Sequence, residues 1–430
     1  MTPIALPADH PQRIELNDEV HARPPERLAA PMRVTYLALF GDAAARERSW
    51  RMLAELVSHH DVTPPAHGAN HFSGDLGPFR IKWERHNEFV RFKFIQAGDG
   101  GEPFENPAIA AAPADWVAGL PGEVIAAAHV ALLPAGAAPP HHREIADTWF
   151  AGNVLIGAAV SGGAATAYTD LRIHRDGFSR FVIFNRNTTP WQAGRITQRL
   201  LEIDTYRVLA MLALPVARGL EPLLARAGQE LGDATAALVD AGEADEPVLL
   251  DRLTRLSAEL DSQQARTRFR LSAAVAYDEL VQRRIRELRE ERIQGLQTFR
   301  EFTERRMAPA MATCRSVSGR VESLSQRVAR ATQLLTARVD VTREGQTQEL
   351  LASMNRRVAL QLRLQSTVEG LSVAAITYYI VSLVGKAAEA LEAAGLPLRP
   401  ALVMGASIPL VALAMALGLR RVRRLAHHAD

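Results

Sequence analysis

The chain has 430 residues, of which 47% are hydrophobic and 23% charged, so it is long enough for two or three domains with buried cores. Its formal net charge of +2 argues against nucleic acid as a partner, because nucleic-acid binding relies on a strong basic field. The single cysteine, Cys314, excludes an intrachain disulfide and fits a reducing compartment, and we interpret the scarcity of lysine (Lys82, Lys93 and Lys386) as a coding bias.

The N-terminal segment 16–25 reads Leu-Asn-Asp-Glu-Val-His-Ala-Arg-Pro-Pro and is too polar for a core. One interpretation is a loop that binds an anion or a partner through Asn17, Glu19, His21 and Arg23. The alternative is an arm that salt bridges tie to its own domain. Segment 1–7 has no basic region and no long apolar run, so we do not expect a signal peptide there.

Residues 1–190 combine strand-like and helical patterns and predict an α+β cytoplasmic domain with a mixed sheet of about seven strands. A helix is predicted from Ala43 to His60, and 97–122 reads as a long surface loop. Turns at 86–88, 161–163 and 175–177 predict hairpins. The predicted strands are Val34–Phe40, Phe79–Arg85, Phe89–Gln96, Val124–Leu133, Val154–Val160, Ala165–His174 and Phe178–Asn185.

Residues 191–366 are predicted to be helical, with helices at Gly194–Leu214 and Val248–Arg306 and a break at 307–309. From there a helix can continue without proline into the next apolar segment, which predicts a long helical stalk. Its first half shows heptad spacing, typical either of a coiled coil between copies or of a helix packed on its own neighbours, at Val317, Val321, Leu324, Val328, Ala331 and Leu335. A second apolar stripe follows at Leu351, Met354, Val358 and Leu362.

The C-terminal segment Ala401–Leu419 contains no charged residue and would be about 28 Å long as a helix, close to the thickness of a bilayer core. A buried core helix is the alternative, but four arginines close the run, at Arg420, Arg421, Arg423 and Arg424. We therefore predict a two-helix transmembrane hairpin over 367–419, with spans at about 367–386 and 400–419. A basic tail, 420–430, follows it.

Arginines precede the first span and follow the second, whereas the connecting loop is net neutral. The positive-inside rule then predicts a multi-pass protein of the inner (plasma) membrane with both termini in the cytoplasm. Within the first span, Glu369, Ser372, Ile376, Tyr379 and Leu383 fall on one helical face, with Ser382 adjacent to it. This face could line a cation path in a homo-oligomer, or its tyrosines could pack between the spans.

No motif for covalent, phosphate or zinc chemistry occurs, so we expect neither an enzyme nor a cofactor. Histidines cluster at His59, His60, His67 and His71, but Pro64, Pro65 and Gly68 argue against a helix that would align them as metal ligands. We expect a solvated loop there.

Three segments together carry a resemblance to a known family: Asn-Asp-Glu-Val-His-Ala-Arg-Pro at 17–24, Leu-Leu-Glu-Ile-Asp-Thr-Tyr at 200–206 and Glu-Gly-Leu-Ser-Val-Ala-Ala-Ile at 369–376. Over essentially its whole length the chain resembles the bacterial membrane-anchored proteins with domain of unknown function 3422. The resemblance implies anchoring in the lipid bilayer and brings no activity and no catalytic residue.

The predicted architecture also resembles CorA-type magnesium channels, which have a cytoplasmic α/β domain, a long stalk helix, two C-terminal spans and a basic tail. Their Gly-Met-Asn filter is missing, since 380–386 reads Ile-Val-Ser-Leu-Val-Gly-Lys. Lys386 would disfavour divalent cations at that end. The function expected is a homo-oligomeric, CorA-like ion channel or transporter; the alternative is a membrane-anchored scaffold that binds a partner.

Overall fold

The structure is a computed structural model that describes residues 7–14, 16–17, 24–98, 102–136, 140–240, 242, 245–394 and 399–426. The chain divides into two compact units. The sheet unit comprises Met1–Asp240 and Asp251–Thr332, and the C-terminal unit comprises Ala241–Leu250 and Gln333–Asp430. The domain limits drawn from the sequence at 190, 366 and 419 stay predictions.

Within the described residues, nine strands form one mixed sheet in the order β2-β3-β4-β1-β5-β8-β7-β6-β9. Neighbours are antiparallel except β5 and β8, which are parallel. The strands are β1 Met32–Phe40, β2 His71–Asp75, β3 Arg80–Arg85, β4 Phe89–Ala97, β5 Glu123–Pro134, β6 Ile156–Val160, β7 Ala165–Thr169, β8 Ser179–Asn185 and β9 Glu291–Arg292.

The mixed α+β class is therefore confirmed, but the prediction of about seven strands is wrong because β2 and β9 were missed. The sequence of β2, His-Phe-Ser-Gly-Asp, has one large apolar residue and so gives no alternating signal. Strand β9 has only two residues, too few to show an alternating pattern, and it pairs with Ala158 and Ala159 of β6. The predicted strand Ala165–His174 ends at Thr169, where the Asp170 carboxylate accepts from the Arg172 amide at 3.1 Å and turns the chain.

One face of the sheet is apolar. Helix α1 (Ala43–His59) covers part of it with Leu53, Leu56 and Val57, which pack with strand residues such as Trp83 and Phe92. The loop predicted at 97–122 supplies a 3₁₀ turn (Ala108–Ala111) and a short helix, α2 (Ala114–Ala118), to the same core. Helix α3 (His142–Trp149) contributes to a second cluster with Phe150 and Phe184.

The remaining helices are α4 Pro190–Met211, α5 Ala213–Asp240, α6 Glu246–Leu288, α7 Phe299–Arg306, α8 Ala308–Ala393 and α9 Pro400–Ala426. The Thr189 hydroxyl and the Gln192 side chain cap α4 reciprocally. The predicted helix Val248–Arg306 is wrong at 289–298, where β9 and a turn interrupt it. Gly295 takes φ of +87°, a conformation outside any α-helix, and Thr298 then starts α7 as its N-cap.

The heptad residues Val317, Val321, Leu324 and Val328 of α8 are buried in the single chain. This is what packing on neighbouring helices of the same chain requires. The neighbour is identified by polar contacts to α6: Arg315 pairs with Asp278. Ser325 Oγ donates to Asp261 at 3.0 Å.

Gly194 in α4 lets the extended segment around Glu26 pack directly on the helix, since a Cβ there would lie 1.7 Å from the Glu26 carbonyl oxygen. We expect Gly194→Ala to lower the free energy of unfolding by roughly 1–3 kcal/mol through overpacking. In the matched control, Gly232→Ala in α5, the added Cβ meets no atom within 4 Å. This substitution should raise the free energy of unfolding by roughly 0.5–1 kcal/mol.

The measurement is urea unfolding in detergent followed by tryptophan fluorescence. All five tryptophans lie in the sheet unit, at Trp50, Trp83, Trp116, Trp149 and Trp191. If both alanine variants changed stability in the same direction, the close approach at Gly194 would not be the cause.

Candidate functional site

The second face of the sheet is charged where β3 and β4 run side by side. Because side chains alternate along a strand, Lys82 and Glu84 of β3 and Arg91 and Lys93 of β4 leave the sheet on the face opposite Trp83 and Phe92. The register pairs Lys82 with Lys93 and Glu84 with Arg91. All four charged side chains are almost completely buried, so each needs a partner.

Arg91 is the centre of this group. Its Nε donates to Glu84 Oε2 on the neighbouring strand, and its Nη1 donates to Glu202 Oε1 of α4 at 3.2 Å. Glu202 also accepts from Arg284 of α6 and, at 2.8 Å, from Gln198 one turn earlier in α4. One arginine thus joins the sheet to α4, and the glutamate it binds joins α4 to α6.

The protonation states follow from this pairing. Burial alone would raise the pKa of the Glu84 carboxyl, but the Arg91 guanidinium and the Lys93 ammonium hold it well below its usual range. Arg91 and Arg284 likewise outweigh burial and lower the pKa of Glu202. Burial, reinforced by Arg91, lowers the pKa of Lys93 to about 8, so its charge is costly at neutral pH.

Between the charged face of the sheet and helices α4 and α6, tyrosines add hydrogen bonds and ring contacts to the layer of ion pairs. The Tyr36 hydroxyl of β1 lies 2.8 Å from the Thr205 hydroxyl of α4, and burial raises the pKa of Tyr36. Tyr206 stacks on Tyr277 of α6 with ring centroids 5.7 Å apart. Tyr277 Oη in turn donates to Glu88 Oε2 at 2.9 Å, at the turn between β3 and β4. These contacts make the layer a structural ion-pair and hydrogen-bond network.

A cavity of about 510 Å³ opens beside this network. Arg80 and Lys82 lie in its wall, and both pair with the Glu26 carboxylate at 3.5 Å. Ser73 Oγ donates to the same carboxylate at 3.1 Å, and the Arg27 guanidinium lies 5.6 Å from the centre of the Trp191 ring. With three cations to one carboxylate, the wall is suited to an anionic group. Its lining residues are Pro24, Pro25, Glu26, Arg27, His71, Ser73, Arg80, Lys82 and Trp191.

The predicted binding loop immediately precedes this cavity in sequence. Glu19, His21 and Arg23 lie outside the described residues, and Asn17 is exposed. The structure places Pro24 and Pro25 at the cavity, and a binding role for the four loop residues stays a prediction.

Among the residues that the structure describes, three helical segments are long and apolar enough to cross a membrane: Pro190–Asp240, Ala308–Ala393 and Pro400–Gly418. Their most apolar windows have mean hydropathies of 1.6, 1.5 and 2.1, and 33%, 11% and 0% of those windows is buried in the protein. The first segment contains α4, whose Glu202 binds the sheet through Arg91.

The predicted pore residues all lie on α8. Ser372, Ile376 and Tyr379 are exposed in the single chain, and Glu369 and Ser382 are half-buried. Ser372 Oγ donates to the Val368 carbonyl of its own helix at 2.9 Å. Glu369, Ser372, Ile376 and Tyr379 share a helical face and Ser382 lies beside it, and a pore lined by these residues stays a prediction.

Helix α9 approaches α8 on a different side, centred on Gly385, where a Cβ would lie 2.8 Å from Met404 Sδ. Val381 and Ala388, one turn to either side of Gly385, are buried. The predicted basic residues Arg420, Arg421, Arg423 and Arg424 form the last turns of α9, and Arg421 is exposed.

The histidines between positions 59 and 71 make separate contacts. His67 Nε2 lies 3.4 Å from Glu47 and its ring packs on Trp50, whereas His71 lines the basic cavity. In the part of the chain that the structure describes, no three His, Cys, Asp or Glu side chains converge as metal ligands would.

Sequence reasoning missed the charged layer, although a signal for it existed. Two of the three lysines lie in the predicted strands Phe79–Arg85 and Phe89–Gln96, alternating with aromatic residues. Charges on alternate strand positions normally face water. Glu202 and Tyr206 lie four residues apart on one face of α4, and this spacing is the signal that the helix presents polar groups to a common partner.

The family model described as a protein of unknown function, DUF3422, matches residues 8–426. No curated protein and no solved structure matches the chain.

We expect Arg91→Met to lower the free energy of unfolding by roughly 3–5 kcal/mol, because Glu84 and Glu202 would stay buried without their common cation. The control Arg226→Met removes a half-exposed pair with Glu259 and should cost less than about 1 kcal/mol. Urea unfolding followed by tryptophan fluorescence measures both. Equal losses in the two variants would contradict the central role of Arg91.

The depressed pKa of Lys93 predicts how stability changes with pH. Below pH 8 the penalty of its buried charge is fully present; between about pH 8 and 10 the folded protein loses this proton while the unfolded chain keeps it. The free energy of unfolding of wild type relative to Lys93→Met should therefore rise with pH in that window, by up to roughly 1.4 kcal/mol per pH unit. A difference between wild type and Lys93→Met that stays constant with pH would show that Lys93 is not desolvated.

Proposed function

The chain belongs to the DUF3422 family of proteins of unknown function, and we propose that it is a homo-oligomeric protein of a bacterial inner membrane that conducts or transports ions. The proposal rests on one observation: within an apolar segment of α8, the exposed residues Ser372 and Tyr379 share a face with Glu369, and α9 contacts α8 on another side, at Gly385.

We assign the membrane spans to the end of α8, about 367–386, and to α9, about 400–419. The α9 segment has a mean hydropathy of 2.1 and no buried residue in its window, so its apolar surface has no protein cover within the described chain. The apolar segment Pro190–Asp240 is not assigned as a span, because its helix α4 binds the sheet through the charged residue Glu202. The arginines that precede and follow the two spans support cytoplasmic termini.

The ion path would run along the face with Glu369, Ser372 and Tyr379. Hydroxyl and carboxylate oxygens on one face of a spanning helix can replace part of the water around a cation. One helix pair is too small to enclose a path, so several copies would surround it. Lys386 is exposed at the outer end and favours monovalent over divalent cations there.

A second candidate, a membrane-anchored protein that binds an anionic ligand or partner, is supported by the basic cavity at Arg80, Lys82 and Trp191. In that case the helix pair serves as an anchor only.

The test is the mass of the detergent-solubilised protein, corrected for bound detergent, followed by K⁺ and Mg²⁺ flux from proteoliposomes. We expect an oligomer of several copies and K⁺ flux that Tyr379→Ala changes several-fold. The matched control Tyr378→Ala removes an equally exposed tyrosine on another face and should stay within about twofold of wild type.

A monomer, or wild type that passes neither ion under any gradient, would overturn the conduction proposal and leave the anchored binding protein. Equal effects of the two tyrosine variants would show that the stripe does not line the path.

A further inference from the structure

Two stripes of α8 that look separate in sequence form one continuous helical face. From Leu351 to Leu383 its members follow each other at intervals of three or four residues, so all lie within about 50° of one line along the helix. The face, called the axial face below, consists of Leu351, Met354, Val358, Leu362, Gln365, Glu369, Ser372, Ile376, Tyr379 and Leu383.

Both halves of the axial face contain residues with the wrong polarity for their surroundings. In the half before the predicted span, Leu351, Met354, Val358 and Leu362 are each more than half exposed. In the half within the span, the exposed residues Ser372 and Tyr379 would meet lipid, whereas Glu369 is half-buried where the span begins. Both halves are unfavourable for a single chain, since exposed apolar stripes and polar groups in a bilayer each cost free energy.

The rest of the chain does not cover this face within the described residues. Helix α9 contacts α8 around Val381, Gly385 and Ala388, roughly 130–170° away around the helix. Of the arginines before the span, Arg356 and Arg363 lie on the far side and Arg357 lies about 90° from the axial face, so the face itself carries no charge before Glu369.

Elsewhere the same helix shows what a covered face looks like. Val317, Val321 and Val328, in the sheet unit, are buried by the chain's own helices. The apolar residues 351–362 have the same character and the same spacing, but no such cover.

We propose that the axial face is the contact between copies of this chain, with α8 helices meeting face to face around a common axis. A partner must be apolar beside 351–362 and must offer polar groups beside Ser372 and Tyr379, with the change at the same position along its helix axis. Another α8 in register meets this requirement at these positions, because each side chain then faces its own counterpart. At Glu369 the same register brings like charges together, which water or a cation at the membrane boundary would have to screen. The inference rests on the proposed membrane spans, but not on ion conduction.

Single-cysteine cross-linking in native membranes tests it, on a Cys314→Ala background because Cys314 is the only natural cysteine. Val358→Cys and Ile376→Cys probe the two halves of the axial face; they are 18 residues, five turns and about 27 Å apart. Their matched controls are Leu360→Cys and Tyr378→Cys, each two residues further along and about 200° around the helix. All four native side chains are at least 44% exposed, so the substitutions disturb no core.

Oxidation should join Val358→Cys and Ile376→Cys into dimers in more than roughly half of the chains, and the two controls in less than roughly a tenth. Cross-linking of Ile376→Cys without Val358→Cys would overturn a continuous face, and so would equal cross-linking of the controls. The expected cross-links in a protein that passes no ions would uphold this interface while ending the conduction proposal.

Discussion

The pairing of Arg91 with Glu84 and Glu202 fixes the sheet unit. A buried charge costs several kcal/mol unless a counter-ion meets it with good geometry, so this one guanidinium restricts where β3 and α4 can lie. Arg284 then brings α6 to the same carboxylate. The apolar core on the opposite face tolerates many packings, whereas these ion pairs allow few. We infer that the polar side of the sheet specifies the arrangement of the helices, and that the apolar side supplies most of the stability.

Elements with a clear hydrophobic periodicity could be predicted from the sequence. Alternating apolar residues predict the strands from β3 to β8, and an apolar face predicts helix α1. Glycine predicts the hairpin turn at 161–163. Strand β9 could not be predicted, because its two residues become a strand only by pairing with β6, which is far away in sequence. The break at 289–298 has the same origin: helical propensity favours a continuous helix there, and the pairing with the sheet overrides it.

Candidate sites were less predictable. The apolar segments and the stripe at Ser372 and Tyr379 depend on local periodicity, which a sequence displays directly. The network around Arg91 depends on which helix covers which face of the sheet, and tertiary packing determines that. Segment 200–206, which carries part of the family resemblance, belongs to this network through Glu202, Thr205 and Tyr206. The resemblance therefore includes the contact that holds the sheet to α4.

The burial of Lys82 and Lys93 leaves Lys386 as the one exposed lysine of the three, all of which lie in the described part of the chain. Reagents that acylate amines should therefore modify the side chains of the folded protein at a single place, between the two apolar segments. With the membrane spans proposed above, that amine marks the side of the bilayer on which the connecting loop lies, because a reagent that cannot cross the bilayer reaches it from one compartment only. Labelling of intact cells would read the topology from the natural sequence, with no inserted tag.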